Sequence, residues 1–263
     1  MYLNESLDRP IIAYERRAML IRALNEFGYI QATERAAKLK TTAITIRRDL
    51  SQLEKEGICV RKRGGAVRLS QGVTLELPYQ IKQNTNIAEK IRIAEAAVKI
   101  VEHGNTIFLD SGSSTYALAQ LLFQKRITVV TNDLQIAVKL ASCLDINLVC
   151  TGGTAHTNVF SLHGSQVEAF IRNLRVDLTF LGADAIHGDG IVSNVNLEES
   201  FLKQAMIQAA KKVILLADSS KFEKTGFAKV CSLSDLEMVI TDSRISPEKQ
   251  KMIANMNIKS VIV

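Results

Sequence analysis

Seven short β-prone runs, separated by helical stretches through residues 87–263, constrain this chain more than any other feature. The runs fall at 106–110, 127–131, 146–150, 177–181, 213–217, 238–241 and 259–263, and helical patterns include 88–102, 114–123, 134–141, 198–210 and 247–256. Such alternation implies a mostly parallel sheet covered by helices, because a parallel neighbour can be reached only through a crossover. The expected class is α/β, and in such sheets ligands bind at the carboxyl ends of the strands.

Polar residues cluster at those ends. Ile107-Phe108-Leu109 runs into Asp110, Ser111, Gly112, Ser113, Ser114 and Thr115, after which a helix begins. A strand, a hydroxyl-rich loop and a helix start make an anion site: Gly112 lets the backbone approach, and amides and hydroxyls donate to phosphate oxygens. A Ser/Thr helix cap with no ligand explains this loop equally well. The other strand ends favour a pocket: Thr131 and Asn132, Gly152 and Gly153, Gly182-Ala183-Asp184, and Asp218-Ser219-Ser220-Lys221. Lys221 is expected to place a positive charge near the bound phosphate, and Asp110 and Asp184 to accept hydrogen bonds from the ligand.

Charge separates the first quarter of the chain from the rest. The net charge is +6; residues 1–70 hold 14 Lys+Arg against 8 Asp+Glu, whereas residues 71–263 hold 19 of each. A small basic body beside a neutral one points to a polyanionic partner for the small body alone. Within it, apolar positions mark a helix from Arg16, a short second one over 32–39 and a third over 43–56, capped by Thr42. Ile46, Leu50 and Leu53 form the buried stripe of the third helix, so Ile44, Thr45, Arg47, Arg48 and Gln52 take its other faces. The segment ICVRKRGGAVR then reads as a basic hairpin. Three helices and a basic hairpin make a winged helix-turn-helix. Thr42, Thr45 and Arg47 are candidates for reading bases. Arg48, Arg61, Lys62 and Arg63 are candidates for phosphate contacts. Residues 14–70 form this domain, 71–86 a linker interrupted by Pro78, and 87–263 the α/β domain.

The run Thr45-Ile46-Arg47-Arg48-Asp49-Leu50, with Leu53-Glu54, Gly57, Arg61 and Gly64-Gly65-Ala66, resembles the DeoR family of bacterial transcriptional regulators. SGSST, LGAD and ADSSKF resemble the sugar-phosphate sensor half of those regulators, which is similar to ribose-5-phosphate isomerase. The resemblance runs from about Arg16 to Asp242. It implies a DNA-binding regulator, with repression the expected sign, of a sugar or sugar-alcohol catabolic operon. Its partners would be double-stranded operator DNA and a phosphorylated sugar or sugar alcohol. One departure lies in the second helix, where Arg35 replaces a usual apolar residue. Glu199 and Lys203 match a Glu and Lys common in the sensor half; at i, i+4 they also fit a surface ion pair. The alternative is an isomerase-like enzyme with a DNA-binding head. Against it, the isomerase pattern DGAD appears as Leu181-Gly182-Ala183-Asp184, and no Lys or Arg lies between Arg175 and Lys203. Proton transfer at a sugar carbon needs a positioned acid and base, so no enzymatic activity is expected.

No cofactor or metal is expected. Cys59, Cys143, Cys150 and Cys231 form no CxxC pair and read as buried free thiols in a reducing cytosol. His103, His156, His163 and His187 read as structural or exposed. The longest stretch without a charged residue, 146–167, carries TGGTAHTN and cannot cross a bilayer. A cytoplasmic protein without a signal peptide or a membrane partner follows. Because DNA-binding dimers mirror operator symmetry, a homo-oligomer, dimer or tetramer, is expected.

Overall fold

Residues 11–68, 72–73, 79–155, 159–222 and 224–263 are described by a computed structural model. The chain divides into two units, Met1–Ser70 with Gln80–Thr85 and Gln71–Tyr79 with Asn86–Val263.

The first unit runs α1 (Ala13–Phe27), β1 (Tyr29–Gln31), α2 (Ala32–Lys38), α3 (Ala43–Lys55), β2 (Cys59–Lys62) and β3 (Gly65–Arg68). Leu20, Ile21 and Leu24 of α1, Ala32 and Ala36 of α2, and Ile46, Leu50 and Leu53 of α3 are buried together. The Thr42 hydroxyl caps α3, accepting from the Thr45 N–H at 3.1 Å. β2 and β3 form the expected hairpin, and β1 adds a third antiparallel strand in the order β1-β3-β2. That strand was not expected, since three residues carry no readable alternation. Gly65 is obligatory where the strands meet: a Cβ there would lie 1.9 Å from the Ile30 carbonyl oxygen. Arg35 is accommodated by stacking, its guanidinium carbon 5.0 Å from the centroid of the Phe27 ring.

The second part of the chain continues with β4 (Gly72–Val73), α4 (Tyr79–Asn84), α5 (Ile87–Val98), β5 (Thr106–Leu109), α6 (Ser113–Ala119), β6 (Ile127–Thr131), α7 (Leu134–Leu140) and β7 (Ile146–Cys150). Next come β8 (Thr154–Ala155), β9 (Leu162–His163), α8 (Ser165–Arg172), β10 (Val176–Leu181), β11 (Ala185–Ile186), β12 (Ile191–Asn194) and α9 (Leu197–Ala209). The last elements are β13 (Ala210–Leu216), β14 (Thr225–Gly226), β15 (Ala228–Ser232), β16 (Met238–Thr241), α10 (Pro247–Asn255) and β17 (Lys259–Ile262).

Among the described residues, seven strands form one sheet in the order β17-β16-β13-β10-β5-β6-β7, every neighbouring pair parallel. These are the seven runs read from the sequence. Alternate residues of β5 feed opposite cores, as the two-residue period of a strand requires. Ile107 and Leu109 pack with Ile93 of α5, Leu118 of α6 and Ile136 of α7. Phe108 packs with Val167 of α8, Leu202 and Met206 of α9 and Ile253 of α10. From β5 the sheet grows through β6 to β7 on one side, and through β10, β13, β16 and β17 on the other. The order of the strands thus reverses between β5 and β10, and the carboxyl ends of such a pair are where sheets of this kind hold ligands.

Several short elements were not expected: the antiparallel sheet β11-β12-β15, the pairs β8–β9 and β4–β14, and helices α4 and α8. Two of them fall in the expected linker. β4 pairs in parallel with β14. Tyr79, the first residue of α4, is buried edge-on against Tyr116 and Phe160. Pro78 lies outside the described residues. Among the described residues no helix is long and apolar enough to cross a membrane.

Candidate functional site

In the first unit, burial of Ile46, Leu50 and Leu53 turns Arg47 and Arg48 outward, and both are exposed. Asp49 faces inward instead and is held by the Arg16 guanidinium, Nη2 to Oδ1 at 3.2 Å. The exposed face of α3 therefore carries cations without that carboxylate. Thr42 and Thr45 lie at its start, their hydroxyl oxygens 2.8 Å apart. On the hairpin Arg61, Lys62 and Arg63 are all exposed. Arg61 is nevertheless tied back to α3, with Nη1 donating to Ser51 Oγ at 2.7 Å and its backbone N–H to Glu54 Oε1 at 2.8 Å.

In the second unit, the carboxyl ends of β5 and β10 are bridged by Asp110, whose Oδ2 accepts from the Gly182 N–H at 2.8 Å. The same oxygen accepts from Lys203 of α9, which also donates to the Gly182 carbonyl at 3.1 Å. Both side chains are buried. Burial alone would pull the Lys203 pKa down; Asp110, with Glu199 and Asp184 behind it, outweighs that and raises it. Glu199, one turn earlier, takes Ser161 Oγ at 2.9 Å on one oxygen and Asn194 Nδ2 at 2.8 Å on the other. The surface-pair reading of Glu199 and Lys203 is thus corrected: both are buried, each with its own partners. Asp184 Oδ2 accepts from the Val195 N–H at 3.4 Å.

The loop after β5 is tied to the end of β6. Ser111 Oγ donates to Asp133 Oδ2 at 2.8 Å, while Asp133 Oδ1 caps α7 through the N–H groups of Gln135 and Ile136. Burial raises the Asp133 carboxyl to about 6, although the Ile136 N–H, the Ser111 hydroxyl and the Gln135 N–H favour its charged form. Thr131 Oγ1 donates to the Leu109 carbonyl at 2.8 Å. Thr115 is fully buried and its hydroxyl donates to the Gly112 carbonyl at 2.8 Å. Ser111 and Thr115 therefore spend their hydroxyl protons within the protein. Ser113 is half-buried and Ser114 buried. Asn132 is buried, and its Oδ1 has no hydrogen-bond partner among the described residues. Gly153 has φ +111° and a Cβ there would lie 2.4 Å from Val167 Cγ2, so packing on α8 requires this glycine; Gly152 has no such neighbour.

Lys221 lies farther along the sheet, in the turn Ser219–Lys221 after β13. Burial would push the Asp218 carboxyl up, but Lys221 and Lys90 outweigh it and hold it below the usual range. Asp218 also accepts from Asn86 Nδ2 at 2.9 Å. Sequence reasoning missed Lys90, Asp133, Ser161 and Asn194. Lys90 was findable: it stands on the same helical stripe as Ile93, Ala94 and Ala97, where a lysine has no ordinary place. Asp133 was findable as a cap between a strand and a helix. Leu181, the first residue of the LGAD run, is fully buried in the core.

His163 is buried and bonds Ser161 Oγ through Nε2. His103 and His187 are exposed, and His156 lies outside the described residues. Cys59 and Cys231 are buried and their thiols pushed up to about 11 and about 12 by burial. Cys143 is only half-buried and Cys150 is exposed, which corrects the expectation that all four are buried.

Residues 16–72 match the DeoR-like helix-turn-helix domain and residues 85–243 the DeoR C terminal sensor domain. A protein of Escherichia coli O157:H7 bearing the name of an aga operon transcriptional repressor is 32% identical, covering 95% of this chain and 93% of that protein. The lactose phosphotransferase system repressor of Staphylococcus epidermidis is 30% identical over 91% of this chain and 96% of its own length. The glycerol-3-phosphate regulon repressor of Escherichia coli K12 is also 30% identical, over 87% and 90%. Among solved structures, ribose 5-phosphate isomerase A of Methanocaldococcus jannaschii aligns with 52% of this chain and 55% of its own, at 19% identity and a TM-score of 0.40.

Proposed function

The chain belongs to the DeoR family of transcriptional regulators, and from that premise we propose that it is a repressor whose operator affinity is set by a phosphorylated sugar or sugar alcohol. The first unit binds double-stranded operator DNA. The crevice at the ends of β5 and β10 binds the effector, the loop Ser111–Thr115 taking the phosphate and Asp184 the sugar hydroxyls. Asp110 and Lys203 shape the floor of that crevice, and Lys221 and Lys90 supply positive charge along it. The carrying observation is the division of α3: one stripe fully buried, the opposite face presenting Arg47 and Arg48 beside a basic hairpin.

The names of two relatives, a lactose phosphotransferase system repressor and a glycerol-3-phosphate regulon repressor, support the sign and the class of operon. Binding without turnover is supported by Leu181, which puts a buried apolar side chain where an isomerase needs a carboxylate. The protein acts in the cytoplasm, where its operator lies, as a homo-oligomer matching operator symmetry. Residues 14–70 and 87–263 are the two working domains.

The test is a mobility-shift titration of the full chain on DNA from upstream of its own gene and its neighbours, with and without a panel of sugar phosphates. We expect one DNA to be bound well above random sequence and one phosphorylated sugar to change that affinity. Binding no tighter than to random DNA throughout would overturn the assignment.

A further inference from the structure

Ile44 is the second residue of α3 and is 75% exposed. A β-branched apolar group so placed gains nothing for the helix and leaves its surface in water. Its neighbours explain what it faces. Arg47 and Arg48 stand three and four residues on, so they share its side of the helix, and both are exposed. The hydroxyls beside it are partly engaged with each other: Thr42 Oγ1 caps the Thr45 N–H and lies 2.8 Å from Thr45 Oγ1, a contact that uses one of their two protons. At the start of α3 an exposed apolar group therefore stands inside a cationic surface.

A polyanion that meets this surface gains where it offers Ile44 an apolar group, because that contact takes apolar surface out of water. Among the base-edge features that distinguish the base pairs in the major groove, the thymine 5-methyl is the apolar one and the others are hydrogen-bond donors or acceptors. Resting on the assignment of α3 to the major groove, we infer that Ile44 reads a thymine methyl in each operator half-site. It is then a specificity-determining residue, whereas Arg48 and Lys62 contribute affinity to any sequence. Removing a methyl from such a contact is worth about 0.8 kcal/mol, or about fourfold in affinity per half-site.

The experiment alters the DNA rather than the protein. Operator sequences are selected with the full-length chain from a random duplex library. Each thymine of the selected site is then replaced by uracil, which removes the 5-methyl and nothing else. We expect one thymine position per half-site to lose about fourfold with the wild type. Ile44→Ala should bind the thymine and uracil duplexes equally, with an unchanged thermal midpoint because Ile44 is exposed. Tight operator binding that no uracil replacement weakens would overturn the inference and leave DNA binding intact. So would an Ile44→Ala variant that keeps the wild-type thymine preference. If the wild type selects no preferred sequence at all, the operator assignment itself falls, and this inference with it.

Discussion

Asp110 and Lys203, 93 residues apart in the chain, form a buried ion pair that joins the end of β5 to α9 across the point where the sheet reverses direction. Neither charge has solvent to fall back on. Removing one partner strands the other, at a cost of about 3–5 kcal/mol. Lys203→Met should therefore lower stability by that amount in chemical denaturation. Asp110→Asn combined with Lys203→Met should recover much of the loss, since neither member of the pair is then left charged without the other. A Lys203→Met variant as stable as wild type would show that the pair does not hold the crevice together.

Gly112 separates a ligand effect from a folding effect. Its backbone is extended, with φ 161°, and an added Cβ would meet only Thr115 Oγ1 at 3.5 Å, an ordinary contact. Gly112→Ala should keep the wild-type melting temperature, and Gly112→Val should add bulk facing the space proposed for phosphate. In calorimetric titrations the phosphorylated effector should bind wild type at least about tenfold more tightly than the free sugar, about 1.4 kcal/mol. Gly112→Val should abolish that preference. Equal affinity for both forms would remove the phosphate from this loop.

What the sequence disclosed follows from the length of each signal. All seven sheet strands were legible because each run is largely apolar, and five of the helices before and between them are long enough to show a period. The pairs β4–β14 and β8–β9 involve two-residue strands and have no period to read. At the site, Asp110 and the Ser111–Thr115 loop stood out because they follow a strand directly. The partners of Glu199 did not. Ser161 reaches it from 38 residues away, through a loop whose placement depends on the bridge between Asp133 and Ser161. The i, i+4 spacing of Glu199 and Lys203 suggested a surface pair, because one helix seen alone does not reveal which face the rest of the chain will cover.

Asp133 makes the stability of the second unit depend on pH in a particular direction. Its folded carboxyl titrates at about 6, above the ordinary value of 3.8. A raised pKa means the folded state takes up the proton first. The stabilisation is complete below about pH 4 and is lost as pH rises through 6. Asp133→Asn keeps an oxygen to cap α7 and mimics the protonated acid. The variant should gain on wild type between about pH 4 and 7, by roughly 2–3 kcal/mol at the upper end. Asp218 and Asp242 work in the opposite sense, since both are held below the usual range and lose stability on acidification. Comparing denaturation midpoints of the two proteins across this window cancels their contribution. Parallel curves would show that Asp133 does not titrate there.

The cations of the first unit should differ in what they contribute. Phosphate contacts release counterions, so if six to ten phosphates are neutralised, affinity should fall by about 10³–10⁵ between roughly 50 and 200 mM salt. Arg48→Ala and Lys62→Ala should weaken operator and random DNA alike and flatten that salt slope. Arg47→Ala should instead lose the preference for operator, because an arginine near the start of α3 can pair bidentately with a guanine edge. Arg61 is the informative exception. Its guanidinium already donates to Ser51 Oγ at 2.7 Å and its backbone to Glu54, so its first duty is to hold the hairpin on α3. Arg61→Ala should therefore change the salt slope less than Lys62→Ala does, while lowering the melting temperature more. Fluorescence anisotropy on labelled duplexes at several salt concentrations, beside thermal melts of the same four variants, reads both quantities. A triple Arg47/Arg48/Lys62 alanine variant that binds like wild type would remove the DNA-binding face from α3 and its hairpin.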